Sequence, residues 1–121
     1  MPQLSIRFVE GSTSPSVLVD GSYSGPLVRE FIADELRSQP SCEYFLKVFE
    51  SLPPDAEYDH GFGNAIAVYV RSGIAYLEHV VAEVPAYKLP LSQLLAIARA
   101  WAVALASDPT KFKPMSFEVP V

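Results

Sequence analysis

The 121-residue chain carries one cysteine, one tryptophan, two histidines and two methionines. A single thiol, Cys42, leaves no intramolecular disulfide to form. That usage suits a reducing compartment, and a cytoplasmic location is expected. No apolar run approaches the roughly 20 residues that a membrane-spanning helix needs, so a membrane protein is not expected. The N-terminal stretch MPQLSIRF lacks the charged, apolar and cleavable succession of a secretory leader, and none is expected. Basic residues are scarce: nine Lys and Arg stand against fourteen Asp and Glu, for a net charge of −5. A surplus of carboxylates repels phosphate backbones, which argues against nucleic acid as a partner.

Half of the residues are hydrophobic and 19% are charged. That balance folds, and the length fits a single domain, 1–121, with a core of its own. The acids are not spread evenly. Residues 29–59 hold Glu30, Asp34, Glu35, Glu43, Glu50, Asp55, Glu57 and Asp59 against Arg29, Arg37 and Lys47, while acids and bases balance elsewhere. Such a block either keeps the surface solvated or draws in a basic partner and speeds its encounter.

Periodicity sets the elements. Residues 3–9 alternate Leu4, Ile6 and Phe8 with Ser5, Arg7 and Val9, as in a half-buried strand. Residues 16–19 read as its return strand, after the loop EGSTSP and before an Asp20-Gly21 turn. Pro26, capped by Ser24 or Gly25, opens a helix with Leu27, Val28, Phe31, Ile32 and Leu36 on one face. Ser38-Gln39-Pro40 stops it. Ser41 is the expected cap of a second helix, with Tyr44, Phe45, Val48, Phe49 and Leu52 as its apolar face, ended by Pro53-Pro54.

Residues 55–63 (DAEYDHGFG) read as a polar loop. Two β-rich runs follow, 64–71 and 74–84, joined by Ser72-Gly73 as a hairpin and closed by Pro85. The last helix places Leu91, Leu94, Leu95, Ala98, Trp101, Ala102 and Leu105 on one stripe, with Trp101 expected to pack on the hairpin. Its other side is apolar too, which requires burial or a covering neighbour. Residues 112–121 form a tail or short edge strand. The expected architecture is α+β: a mainly antiparallel sheet packed against a long C-terminal helix, with two further helices in the N-terminal half.

Catalytic motifs are weak. Cys42 falls in the first turn of a helix, where a thiol can become acidic, but no glycine elbow surrounds it and no signature ties it to His60 or His79. A buried, inert cysteine is the simpler reading. Asp55, Glu57, Asp59 and His60 cluster in one loop. A calcium loop of their spacing would need glycine at 60 and glutamate at 66, where the chain has His60 and Ile66. One histidine is too few for zinc. Gly61-Phe62-Gly63 precedes a strand rather than a helix, with no lysine behind it, so it is no phosphate loop. No catalytic residue, metal or cofactor is expected. The same loop does put Tyr58 and Phe62 among carboxylates, which is the composition of a binding hot spot as much as of a solvated turn.

The stretch GFGNAIAVYVRSGIAYLEHVV, followed by AYKLPLSQLLAIARAWAVAL, resembles the C-terminal half of immunity proteins of bacterial polymorphic toxins, including contact-dependent growth inhibition systems. The resemblance lies in Gly63-Asn64 entering a hairpin, Leu89-Pro90-Leu91-Ser92 opening a helix, and the late Trp101. It covers a little over a third of the chain. It implies a non-enzymatic protein, a monomer or weak dimer, that neutralises one cognate toxin by binding it, the toxin being basic and of nuclease type. The expected contact surface is Glu30, Asp34, Glu35, Asp55, Glu57, Tyr58, Asp59 and His60. The rival expectation is a small enzyme or ligand-binding domain with a pocket near Tyr58, His60 and His79. A third is an oligomeric subunit that buries the back of the last helix.

Overall fold

The structure, a computed structural model, describes residues 3–19, 27–53 and 55–120. It is α+β, with two antiparallel sheets and a helical layer that touches both. The first sheet contains β1 (Gln3–Phe8), β2 (Pro15–Val19) and β7 (Met115–Glu118), in the order β2-β1-β7. The second contains β3 (Tyr58–Phe62), β4 (Ile66–Arg71), β5 (Ile74–His79) and β6 (Tyr87–Pro90), in chain order. The helices are α1 (Leu27–Glu30), which runs on into a π-helical turn at Phe31–Glu35, then α2 (Gln39–Glu50) and α3 (Leu91–Leu105).

Alternation places Leu4, Ile6, Val17, Ile66, Val68, Val70, Ala75 and Leu77 inside. The hairpin between β4 and β5 turns on Ser72 and Gly73, both at positive φ (48° and 79°), the geometry that two-residue hairpin links favour. Helix α3 packs against β1, β5, β6 and α2. Leu91, Leu94, Ile97, Ala98, Ala100, Trp101 and Ala104 are all buried on it, so the chain itself covers most of the apolar back as well as the stripe. Among the described residues of that helix, Val103 is the large apolar side chain left in solvent, at 57% exposure.

Several local expectations are corrected. Ser38, not Ser41, caps α2: its Oγ accepts from the Ser41 amide while Ser41 Oγ accepts from the Ser38 amide, a reciprocal box with Pro40 inside the first turn. The polar run 55–63 contains a strand, β3, which bulges against β4 and so hides its alternation. Residues 87–90 form β6 rather than a connection. β5 ends at His79, well before Pro85. There the imidazole Nδ1 accepts the amides of Val81 (3.3 Å) and Ala82 (3.0 Å), turning the chain out of the ladder. The tail pairs with β1 as an edge strand, and the Gln93 amide donates to the Glu118 carbonyl. The Pro26 helix start with its Ser24 or Gly25 cap, the Asp20-Gly21 turn and the Pro54 stop lie outside the described residues.

Trp101 is buried as expected, but against the first helix. Its indole Nε1 donates to the Leu36 carbonyl (2.6 Å), fastening α3 to the end of the π-helical turn. Trp101→Ala is expected to cost about 3–5 kcal/mol in denaturant melts. Trp101→Phe, which keeps most of the ring volume and loses the donor, should cost about 1–3 kcal/mol. A loss under about 1 kcal/mol for the alanine variant would reject the buried anchor.

Candidate functional site

The solvent side of the four-stranded sheet is built by the other half of the alternation. With Val68, Val70, Ala75 and Leu77 inside, Tyr69 and Arg71 of β4 and Tyr76 and Glu78 of β5 point outward. The hairpin register sets Tyr69 directly opposite Tyr76, and Tyr76 opposite Lys88 of β6. A tyrosine pair and a lysine thus form a row across three strands. Gly61 of β3 makes room for it: a Cβ there would come 2.8 Å from the Tyr69 hydroxyl oxygen, and its φ of 70° is left-handed. Tyr58, Asp59, Tyr69, Arg71, Tyr76 and Glu78 line a cleft of about 470 Å³ on this face.

Of the residues expected to bind, the structure brings Tyr58 and Asp59 to the cleft. Tyr58 is half-buried, its ring centroid 4.7 Å from that of Phe49, so it is a wall of the core as well as of the cleft. Asp55, Glu57 and Asp59 are exposed. Asp34 is exposed on the π-helical turn and Glu30 half-buried on α1, and neither lines the cleft. The side chain of His60 lies outside the described part.

Glu35 has an internal task. Its Oε1 accepts the Asn64 amide (2.8 Å), and its Oε2 accepts those of Ala65 (2.8 Å) and Ile66 (3.2 Å). Sequence reasoning missed Tyr69, Arg71, Tyr76 and Glu78. The Ser72-Gly73 turn was the available signal, because a two-residue link fixes 71 opposite 74 and therefore 69 opposite 76.

Two residues considered for chemistry are otherwise engaged. Cys42 has no exposed surface and its thiol donates to the Ala98 carbonyl, with Sγ 3.4 Å away. Burial, with a smaller contribution from the negative charge of Glu43, pushes the thiol up to about 11. Helix position alone had suggested the opposite direction. His79 Nδ1 is occupied by the two amides it accepts, and the residue does not line the cleft with Tyr58. Among the described residues, no three His, Cys, Asp or Glu side chains group as a metal site, and no helix is long and apolar enough to cross a membrane. Comparison of the chain with protein-family models, with curated proteins and with solved structures gives no match.

The Cys42 environment sets two expected outcomes. At pH 7–8 the native protein should resist thiol alkylation and react only on unfolding, which mass spectrometry with and without denaturant would show. The native thiol also ionises later than the unfolded one at 9.0, so stability should fall as pH rises from 9 towards about 11, by about 2–3 kcal/mol. Cys42→Ala should lack that alkaline loss. Rapid native alkylation at pH 7 would reject the buried, neutral thiol.

Proposed function

We propose that this protein is a non-enzymatic inhibitor, an immunity protein that neutralises a cognate bacterial toxin domain by binding it, with a basic nuclease as the class whose charge fits best. The observation that carries the reading is the outward row of Tyr69 and Tyr76, in a cleft lined by Asp59, Glu78 and Arg71 and with Lys88 opposite Tyr76. Amphipathic rings ordered by a sheet give contact area at small entropic cost, and hot spots concentrate on such residues. Carboxylates at the rim set the encounter rate and the sign of the partner. The exposed acids of 55–59 add to the same rim, since Asp59 is shared between the two. The acidic isoelectric point of about 4.9 supports the same sign of partner. The resemblance of residues 61–106 to immunity proteins supports the class.

The work of binding therefore falls on Tyr69, Tyr76 and Tyr58 as anchors and on Asp55, Glu57 and Asp59 as steering charges, with Glu30 and Asp34 further along the first helix. Glu35 belongs to the scaffold that holds the sheet. The test is kinetic, using the toxin domain encoded beside this gene and salt from about 50 to 500 mM. Reversing Asp55, Glu57 and Asp59 to lysine should slow association about tenfold at low salt and flatten its salt dependence. Tyr76→Ala should leave association nearly unchanged and quicken dissociation about 10- to 100-fold. Absence of a complex with that domain at micromolar concentration would overturn the function. A tight complex indifferent to all these changes would move the interface off this face.

A further inference from the structure

A second groove, of about 500 Å³, lies between β2, the first helical segment and α3. One wall is a continuous run of chain, residues 13–18. Within it, Val17 is buried against the core, while Ser16 is paired with the outward-pointing Arg7. Consecutive residues from both faces of a strand can line one groove only where the groove follows the strand's edge. β2 is an edge strand, paired with β1 alone. The facing wall is the first helical segment and its exit, with Arg29 on α1, Ala33 on the π-helical turn and Arg37 just beyond it, and Trp101 and Leu105 of α3 complete the lining.

Charge distinguishes this groove from the rest of the surface. The chain carries −5, yet among the described residues no carboxylate lines the groove, and two guanidinium groups do. Among the described residues neither Arg29 nor Arg37 has a carboxylate partner; the surface pair Arg99–Glu50 (2.6 Å) lies elsewhere. An edge strand offers alternate N–H and C=O groups to an incoming chain, and a helix lying alongside supplies side-chain specificity.

We propose that this groove is a strand-addition site for an extended acidic peptide segment of another protein. The peptide would add to the edge of β2 that no described strand covers and place its carboxylates on Arg29 and Arg37, whose planar guanidinium groups donate to them bidentately. Eight residues, most of them helical, separate the arginines, on the order of 10 Å. An extended chain covers that in roughly three or four residues, and side chains on one face recur every second residue. The matching pattern is two acidic residues four apart with β-branched residues between them. Pro15 has no N–H to give, so the added strand would bond along residues 16–19. The proposal stands independently of the toxin reading, because it uses a different surface and a partner of opposite charge.

The probe is an acetylated, amidated eight-residue peptide of threonine and valine with two glutamates four residues apart. Binding is read from the fluorescence of Trp101, the sole tryptophan, and from backbone amide shifts of 16–19 by NMR, so that a silent indole leaves the question open to the second readout. Saturable binding is expected at both, at least tenfold weaker for the same peptide with lysines, and at least tenfold weaker when its alternate amides are methylated on the edge-facing side. Arg29→Ala combined with Arg37→Ala should weaken binding at least tenfold with an unchanged melting temperature. Equal binding of the methylated peptide would reduce the groove to a charge trap. Equal binding of the lysine peptide would remove the arginine role. An eight-nucleotide single strand binding more tightly than the peptide would make it a phosphate groove. No shift at 16–19 with millimolar peptide would mean that the edge is closed. Each of these four results overturns the proposal.

Discussion

The carboxylate of Glu35 holds together the two parts of this fold that local sequence does not join. Where the chain bends between β3 and β4, the amides of residues 64–66 point away from the ladder, and Glu35 takes all three. Gly63 is part of the same device: its φ of 123° is left-handed, and a Cβ there would collide with the Ile66 carbonyl. The first helix thereby sets where β4 begins. The register of β4 with β5 follows from the Ser72-Gly73 turn, and the outward tyrosine row follows from that register. The π-helical turn is what lets one segment do this. Bonding from i to i+5 brings Leu36 round to join Phe31 and Ile32 in the core, all three with no exposed surface, while leaving Glu35 beside the bend. Phe31 then meets Phe45 edge-on at 5.3 Å, and Leu36 offers its carbonyl to Trp101.

Much of the architecture was legible because it rests on short-range rules. Alternation gave β1 and β4, a β-branched run gave β2, and a serine-glycine pair gave the hairpin. Helical spacing gave the buried face of the first helix but only part of the other two, since Tyr44 is exposed and Ile97, Ala100 and Ala104 are buried where Leu95, Ala102 and Leu105 are half-buried. What stayed hidden depends on partners far along the chain. β7 pairs with β1 across more than a hundred residues, and nothing near residue 115 announces that choice. That pairing is why there are two sheets rather than one. β3 was concealed by its own content, since Asp59, His60 and Gly61 depart from strand composition and the bulge breaks the period of two. β6 was concealed by Pro90, which sits at its last position, where a missing donor does little harm. The early end of β5 had no compositional mark either. Val80, Val81 and Val84 are good strand formers, but the amides of Val81 and Ala82 turn to His79 and that of Val84 to the Ala82 carbonyl, which makes the stretch an exposed loop.

The candidate site divides along the same line. Tyr58 and Asp59 were found from an aromatic set among carboxylates, a feature visible in nine residues. Tyr69, Arg71, Tyr76 and Glu78 were passed over as the polar half of two strands, although the hairpin geometry was enough to pair the tyrosines. Glu35 illustrates the reverse error. As one acid in an acidic block it looked like a surface charge, but three amides 29 to 31 residues away claim it. Counting charge along a chain cannot separate a carboxylate that faces solvent from one that completes a turn.

That distinction changes what the net charge means. Residues 29–59 supply the whole imbalance of −5, and read as a block they suggest one negative surface. In three dimensions the block has two sides. Arg29, Ala33 and Arg37 line the groove beside β2, whereas Asp34 is exposed outside that groove and Asp59 lines the tyrosine cleft. Helical geometry does part of the sorting, since Asp34, five residues on from Arg29, takes another side of the segment. A domain built this way carries a dipole as well as a net charge. A basic partner of the proposed kind would be drawn to one face and turned away from the other, so approach and orientation would be selected together, before any buried contact forms.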